Sequence, residues 1–443
     1  MSKFVRADGR VIYTQTSLTR QQKEAFGLLS IGTFLEYFDL MLYVHMAVLL
    51  NELFFPKEDP QTASILSATA FCSTFIFRPI GALIFGWIGD NLGRKVTVVI
   101  TTLMMAISCF VMANLPTYEQ IGITAAWLVT ICRMAQGMAS MGEVTGAELY
   151  ITEMTKPPIR YFLVALIGTV GIVGTVSALG IASIVTSHGL NWRLAFWVGM
   201  VIAVVGSIAR TTLREAPEFI DAKRRITEAF QHANKDSSCL KQHTIWKEKI
   251  PKKTLLSYFL IQCSWPVIFY FVYIYCTNIL KDLFHFTSAQ IIFHNFIISI
   301  GHLLGNFIFA YLSYKIYPLK ILRTLFIIFT IGMLCSPLLL SNIKTPFHLL
   351  LIQLFFIMFG LSESPAMPIF FKHFPVLRRF TCSSFSFALS RAFMYVIVSF
   401  GLSYLIQLFG NYGLLVIMIP NCLGYRWGLS HFERLEKNDG NYQ

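Results

Sequence analysis

The sequence has 443 residues, of which 55% are hydrophobic and only 13% are charged, and its mean hydropathy is +0.61. A soluble protein normally carries about a quarter charged residues, so this composition excludes an ordinary soluble protein. The net charge of +13 would suit a nucleic-acid partner, but the basic residues are distributed as in a membrane protein, and we predict no nucleic-acid binding.

Apolar residues come in blocks of about 20, the length with which a helix crosses a bilayer. We predict an all-α polytopic membrane protein with twelve transmembrane helices in two pseudo-symmetric six-helix bundles. The predicted spans are 25–50, 63–89, 96–115, 121–147, 160–187, 193–212, 254–280, 290–314, 319–340, 346–371, 380–407 and 411–429. The polar loop 213–253 separates the bundles 25–212 and 254–429, and a central aqueous site is expected between them.

Lysine and arginine are distributed unevenly over the two sides of the membrane. Most of the 36 lie in the N-terminal segment 1–24, the loop 213–253, the tail 430–443 and the short turns on the same side. Cytoplasmic segments are enriched in these residues, so both termini are predicted to be cytoplasmic. The first apolar run is too long for a secretory signal. We therefore predict a multi-pass protein embedded in a lipid bilayer, and we expect it to be monomeric.

The residues that typically carry enzyme chemistry do not form recognisable motifs. The nine cysteines include no CxxC pair, the histidines lack metal-ligand spacing, and no glycine-rich phosphate loop follows a strand. We predict no enzyme activity, no cofactor and no metal site. In the fifth span, Gly168, Gly171 and Gly174 predict close helix packing.

The first span contains two carboxylates, in the stretch GTFLEYFDLMLY. Glu36, Asp39 and Tyr43 are spaced i, i+3, i+7 and therefore share one helix face. An ionisable group inside a span is costly and by default marks an ion path. We predict Asp39 and Glu36 as proton-coupling residues, Asp39 first because it lies deeper, and Tyr43 as a substrate-binding residue. Structural pairing with a neighbouring helix is the alternative for each acid.

The loop GWIGDNLGRK, from Gly86 to Lys95, follows the second span. The Asp90 carboxylate lies where a helix ends, and Gly93 permits a tight turn before Arg94. Such an arrangement can hold neighbouring helix ends together through charge-assisted hydrogen bonds.

Arginines inside the spans are the natural counter-charges of the first-span acids. Arg133 lies near the middle of the fourth span, with Gln136 on its face. It can pair with Asp39 or Glu36, or bind a substrate carboxylate bidentately. We predict Arg133 and Gln136 as substrate-binding residues, with a permanent structural ion pair as the alternative. For Arg391 in the eleventh span, both roles stay open.

The seventh span, which contains CSWPVIFYFVYIYCTNILK, is rich in aromatic residues. Pro266 predicts a kink in it. Trp265, Tyr270 and Tyr273 are candidates to face the cavity, where an aromatic ring can hold a quaternary ammonium group by cation–π attraction. Lipid contact or helix packing is the alternative for all three.

Together with LEYFD, FRPIGALIFGWIGDNLGRK, RMAQGMASMGE, NWRLAF and LREAPEF, these segments resemble the major facilitator superfamily and, within it, the metabolite:proton symporter family. The run LPTYEQIGITAAWLVTICRMAQG is most similar to the proline/betaine transporter branch. The resemblance implies proton coupling by the first-span acids and a position on the translocation path for Arg78. Arg78 is therefore predicted to bind substrate, with a packing ion pair as the alternative. It also implies a cytoplasmic gate formed by Gly86, Asp90, Gly93, Arg94, Lys95, Glu153 and Arg160.

The second half departs from the family pattern. The loop YLSYKIYPLK has Tyr314 where an acid is expected, and FKHFPVLRR has Lys372 where the family usually carries an acid. Either the second bundle closes by other contacts, or the chain has departed from ordinary transport.

The function implied is proton-coupled symport of a small zwitterionic or carboxylate metabolite by alternating access. Proline and glycine betaine are the best single candidates for the substrate. The alternatives are an organic-acid symporter of the 2-oxoglutarate, citrate or shikimate type, a proton-coupled exporter, and a non-transporting receptor or scaffold on the same fold.

Overall fold

The computed structural model describes residues 2–5, 11–54, 73–187, 191–211, 220–221, 224, 250–376 and 378–442. Most of the predicted loop 213–253 and residues 63–72 of the second predicted span lie outside the described residues. The chain begins with an antiparallel hairpin of β1, Ser2–Val5, and β2, Val11–Thr14. This hairpin was not expected from the sequence.

Helices follow all twelve predicted spans. In the first half they are α1 Arg20–Phe54, α2 Arg78–Asn91, α3 Arg94–Asn114, α4 Ile123–Met154, α5 Ile159–Ser187 and α6 Arg193–Arg210. In the second half they are α7 Lys252–Phe284, α8 Ser288–Lys315, α9 Pro318–Ser341, α10 Pro346–Met358 with Met367–Lys372, α11 Arg379–Val396 with Leu402–Phe409, and α12 Gly413–Asn438.

Helix length and surface chemistry both suit a membrane. Eight of the described helices are long and apolar enough to cross a bilayer, judged by length and composition. Large apolar side chains such as Trp127, Ile208 and Leu423 are exposed on the outer surface. A soluble protein rarely exposes so many of them together, whereas lipid solvates them. The all-α membrane fold predicted from the sequence is thus confirmed.

Glycines let the helices approach one another closely. A Cβ atom on Gly171 of α5 would lie 2.6 Å from the Tyr37 ring of α1, so that ring packs directly on the glycine backbone. Similarly, a Cβ atom on Gly86 of α2 would lie 2.9 Å from the Cα atom of Thr381 in α11. The second contact joins the two bundles, because α2 and α11 belong to different halves of the chain.

Two helices are interrupted where the bundles face each other. The helical hydrogen bonding of α7 is broken at Cys263, just before Pro266, and residues 271–275 form a π-helical turn. Helix α10 is broken between Met358 and Met367. Irregular backbone at membrane depth is tolerated where it is buried in protein or lines a cavity. Both breaks border the cavity described next.

Candidate functional site between the two bundles

A cavity of about 90 Å³ lies between the two halves of the molecule. Helices α1, α4 and α5 line one side, and α7, α8, α10 and α11 line the other. The lining residues are Tyr37, Met41, Val144, Glu148, Gly168, Ile172, Thr175, Trp265, Phe269, Tyr273, His302, Asn306, Ser362, Glu363, Ser364, Met367, Phe387 and Arg391. Both bundles therefore contribute directly to one site.

Arg391 is the centre of the second-half side of the cavity. Its guanidinium forms an ion pair of 3.1 Å with the Glu363 carboxylate in the break of α10, and both side chains are buried. It also donates to the backbone carbonyl of Gln262. That carbonyl has no helical partner, because Pro266, four residues later, lacks an N–H group. The kink in α7 and the position of Arg391 thus depend on each other.

Glu148 of α4 is the charged group that faces the cavity from the first half. The residue is only 5% exposed. Its Oε2 atom has no hydrogen-bond partner among the described residues. The cavity therefore holds two buried carboxylates and one guanidinium.

Aromatic and amide side chains complete the lining. The Trp265 and His302 rings stack with centroids 5.2 Å apart and planes inclined by 23°. The Tyr273 hydroxyl is 3.1 Å from the Ser299 hydroxyl. Of the three candidates in the seventh span, Trp265 and Tyr273 line the cavity, whereas Tyr270 is buried next to it.

The first-span acid Asp39 belongs to a polar cluster inside the N-terminal bundle. Its Oδ2 atom lies 3.4 Å from Arg133, and its Oδ1 atom accepts hydrogen bonds from Gln136 at 2.8 Å and Cys109 at 3.4 Å. Arg133 also donates to Gln136 at 2.7 Å and lies over the Tyr43 ring, 4.1 Å from its centroid. The structure thus brings Asp39, Arg133, Gln136 and Tyr43 together, as their spacing suggested.

The second acid of this span, Glu36, has a different arginine. Glu36 and Arg78 are both buried, and their charged groups are 4.0 Å apart. Among the five residues predicted to bind substrate, Trp265 is on the cavity wall, whereas Tyr43, Arg78, Arg133 and Gln136 are not among its lining residues in the described chain. Their roles stay predictions, because these pairs equally fit a structural purpose.

Asp90 joins the bundles at one end of the molecule. Its carboxylate accepts hydrogen bonds from the backbone N–H groups of Phe380 at 3.3 Å and Thr381 at 2.9 Å, and from the Thr381 hydroxyl at 2.6 Å. These N–H groups belong to the first turn of α11, which has no intrahelical acceptor for them. A carboxylate placed there also interacts favourably with the helix dipole. We call this end, defined by Asp90, Glu153 and Glu436, the gate end.

The other predicted gate residues lie nearby. Glu153 of α4 pairs with Arg379 of α11 at 3.3 Å, a second contact between bundles. Arg160 donates to the Thr155 carbonyl at the end of α4. Gly93 has φ of 127°, a conformation that favours glycine, just before α3. Lys95 follows in the first turn of α3, and the side chain of Arg94 lies outside the described part.

In the second bundle, an acid comes from an element that was not predicted to supply it. Glu436 of α12 lies 3.0 Å from the Lys372 ammonium and 2.7 Å from His373, and it accepts a hydrogen bond of 2.6 Å from Tyr317. Burial, Tyr161 and Glu436 raise the pKa of Tyr317, so its hydroxyl stays a proton donor. The Tyr317 ring also contacts Tyr161 of α5, in the other bundle.

This cluster also contains three groups that could hold a metal ion. Ligand atoms of His373, Glu436 and Asp439 lie within 4.8 Å of one another. The Lys372 ammonium lies 3.0 Å from Glu436 and 2.7 Å from Asp439. A lysine ammonium group therefore already pairs with both carboxylates.

The N-terminal segment lies at the gate end too. The Gln15 backbone N–H donates to the Pro157 carbonyl at 2.9 Å, and the Gln22 amide donates to the Met154 carbonyl at 2.7 Å. Met154 ends α4, the helix that carries Glu153. Both ends of the described chain are therefore held at one end of the molecule.

Sequence reasoning left several cavity residues without a role. Glu363, His302 and Asn306 were not singled out, and the role of Arg391 was left open. Each is polar or ionisable within an apolar span, and that is the signal that could have found them.

Comparison with known proteins gives a consistent result. Residues 29–397 match the family model of the Major Facilitator Superfamily. The proline/betaine transporter of Escherichia coli (strain K12) is 28% identical over 292 residues, which cover 64% of this chain and 57% of that protein. The glycine betaine/proline/ectoine/pipecolic acid transporter OusA of Dickeya dadantii is 31% identical over 221 residues, covering 48% and 43%. The chain thus matches about half the length of these relatives.

Solved structures share the fold at low identity. The proton:xylose symporter XylE, bound to 6-bromo-6-deoxy-D-glucose, superposes with a TM-score of 0.72 at 17% identity and covers 92% of this chain and 94% of its own. The human organic anion transporter MFSD10 has a TM-score of 0.64 at 16% identity, covering 93% and 98%. At such identities the likeness concerns the fold alone.

Proposed function

Since this chain belongs to the Major Facilitator Superfamily, we propose that it is a secondary active transporter, and not an enzyme, that works by alternating access. The superfamily resemblance predicted from GWIGDNLGRK is confirmed. The proposed substrate is a small zwitterionic or carboxylate metabolite that moves together with protons. Proline and glycine betaine are the first candidates, because the relatives at 28% and 31% identity carry these compounds in their names.

The observation that carries this proposal is the cavity shared by both bundles. Glu148 faces it from α4, and Glu363 and Arg391 face it from α10 and α11. Charged groups are costly inside a membrane protein and usually serve an ion or substrate path. A purely structural scaffold has no need of a polar cavity between the bundles, so the cavity favours transport over such a role.

Alternating access requires, besides a central cavity, contacts that close one end of the transporter and can be broken. The gate end has such contacts. Asp90 binds the first turn of α11, and Glu153 pairs with Arg379, so two contacts close the bundles on each other there. Rocking of one bundle against the other must break both. Each is a small polar contact that water can replace when the bundles separate.

We assign the gate end to the cytoplasm and the protein to a bacterial inner membrane. The asymmetry of lysine and arginine supports this orientation. It puts both termini and the loop 213–253 on the cytoplasmic side.

Proton coupling is assigned first to Asp39. It is buried beside Arg133 in α4, so gain or loss of a proton changes the charge balance between α1 and α4. Glu36 with Arg78 is the second such pair. Either carboxylate can therefore link protonation to the packing of the bundle.

The direct test is uptake into proteoliposomes that contain the purified protein. Labelled proline, glycine betaine, 2-oxoglutarate, citrate and shikimate are offered with an inward proton gradient and without one. We expect gradient-dependent accumulation of at least one zwitterion. Absence of uptake for every compound, from a protein that unfolds cooperatively on heating, would overturn the proposal.

A further inference from the structure

The charges around the cavity do not balance. Arg391 is engaged within its own bundle by the Glu363 carboxylate at 3.1 Å and by the Gln262 carbonyl. No other lysine or arginine is among the described residues that line the cavity. Glu148, on the opposite wall, therefore forms no ion pair of its own among the described residues, and the only guanidinium of the described cavity lining is already paired with Glu363.

The Glu148 side chain is buried in the cavity wall. It is 5% exposed, and its Oε2 atom has no hydrogen-bond partner among the described residues. A buried carboxyl group without a positive partner is costly in its charged form and therefore takes up a proton readily. A positively charged group that enters the cavity relieves this cost, so the site itself selects for one.

Aromatic rings surround the same space. Tyr37 of α1 lines the cavity on the same side as Glu148 of α4. Trp265 and Phe269 of α7 line the opposite side. Aromatic faces attract ammonium groups, and alkylated ones in particular, because their ring quadrupole is negative. A carboxylate opposite aromatic rings suits a cation that carries methyl or methylene groups.

We propose that Glu148 binds the cationic centre of the transported molecule, a quaternary or protonated amine, while Trp265 and Phe269 pack against its carbon atoms. This inference rests on the proposed transport function and narrows it. A zwitterion with a compact ammonium group fits the cavity. A dicarboxylate does not, because it would meet two carboxylates and a guanidinium that is already paired.

The test compares Glu148→Gln with Glu148→Asp and with the matched control Glu119→Gln, which removes an exposed carboxylate outside the cavity. The probes are glycine betaine, proline, choline and 2-oxoglutarate. Uptake into proteoliposomes gives the half-saturating concentration. The rise in unfolding temperature of the purified protein with each compound gives binding independently of transport.

We expect the wild type and Glu119→Gln to bind an ammonium compound equally well. Glu148→Gln should weaken this binding by about tenfold to a hundredfold, because a charge-assisted contact is lost. Glu148→Asp keeps the charge and should lose only a few-fold. If Glu148→Gln does not fold, Glu148→Asp alone tests the inference. We then expect its few-fold loss of affinity to affect the ammonium compounds and not 2-oxoglutarate.

Two results would overturn the inference while leaving transport intact. One is a wild type that carries 2-oxoglutarate but neither binds nor carries an ammonium compound. The other is unchanged affinity of Glu148→Gln for an ammonium compound that the wild type carries. Failure of the wild type to carry any compound would instead overturn the proposed function, and this inference with it.

Discussion

Asp39 and Arg133 show how a membrane helix tolerates a buried ion pair. The two side chains are almost inaccessible, and their charged groups are 3.4 Å apart. Gln136 and the Tyr43 ring supply further contacts to the same charges. Such a pair is not strongly stabilising in itself, but removal of one partner leaves the other charged and buried.

We expect Asp39→Ala to lower the free energy of unfolding by about 3–5 kcal/mol, because Arg133 loses its counter-charge. Thermal unfolding of the purified protein measures the effect. Glu24→Ala is the matched control, since Glu24 pairs with Arg20 on the exposed surface. There we expect a change of about 0.5 kcal/mol or less. Equal losses of unfolding free energy in Asp39→Ala and Glu24→Ala would show that burial of the Asp39–Arg133 pair does not matter for stability.

At the scale of the element, α11 begins on a carboxylate from the other bundle. The Asp90 carboxylate accepts hydrogen bonds from two backbone N–H groups and a hydroxyl in the first turn of α11. The close approach of α2 to α11 at Gly86 brings Asp90 near enough for these bonds. The capping interaction is therefore available in the closed state and must be lost when the gate end opens. A helix-capping interaction, which usually forms within one chain segment, here joins the two bundles.

Asp90→Asn should weaken this contact. We expect the equilibrium between the closed and the open gate end to shift about tenfold toward the open state, which corresponds to about 1.4 kcal/mol. We expect reduced uptake by a protein that still inserts and folds. Cys382, buried next to Thr381, reports the opening when the other cysteines are replaced, and a thiol reagent should label it faster in Asp90→Asn. The control is Asn91→Ala, on the exposed side of α2. Wild-type uptake and labelling in Asp90→Asn would show that Asp90 does not hold the gate.

Helix α12 stabilises the corresponding end of the second bundle. Glu436 is 2% exposed and contacts Lys372, His373 and Tyr317, whereas Asp439 is half-exposed and contacts Lys372. Burial makes the contacts of Glu436 worth more than those of Asp439.

We expect Glu436→Gln to destabilise the protein by about 1–3 kcal/mol. Asp439→Asn should cost about 1 kcal/mol or less, as for an exposed ion pair. Thermal unfolding again provides the measurement. The reverse order of the two effects would mean that Glu436 is not the acid that replaces those missing at Tyr314 and Lys372.

For the whole molecule, the apolar blocks predicted the helices well because a lipid-facing helix must be apolar over its full length. The break in α10 was not predicted, although helix-breaking and polar residues interrupt the apolar run there, namely Gly360, Ser362, Glu363, Ser364 and Pro365. The Asp39–Arg133 contact was foreseeable, because only a few charges lie within the first spans. The pairing of Lys372 with Glu436 was not foreseeable, since Glu436 was assigned to the polar tail 430–443, where a charged residue is not unusual and so indicates no partner.

The last prediction concerns how the whole molecule couples protons to substrate. If Asp39 carries the transported proton, Asn mimics its protonated form and cannot release a proton. Concentrative uptake in Asp39→Asn should then collapse, because net transport requires the empty, deprotonated carrier to return. Exchange of labelled for unlabelled substrate should survive, because it cycles only the loaded carrier. Asn also keeps an acceptor for Gln136, so this variant should be more stable than Asp39→Ala.

Both activities are measured in the same proteoliposomes, with Glu36→Gln in parallel. Glu36 pairs with Arg78 instead of Arg133, so it tests the other buried pair of α1. Surviving exchange also shows that the variant is folded and binds substrate. Accumulation retained in Asp39→Asn but lost in Glu36→Gln would assign the proton to Glu36. Loss of exchange together with accumulation in Asp39→Asn would instead give Asp39 a structural or substrate-binding role, because a carrier blocked only in deprotonation still exchanges.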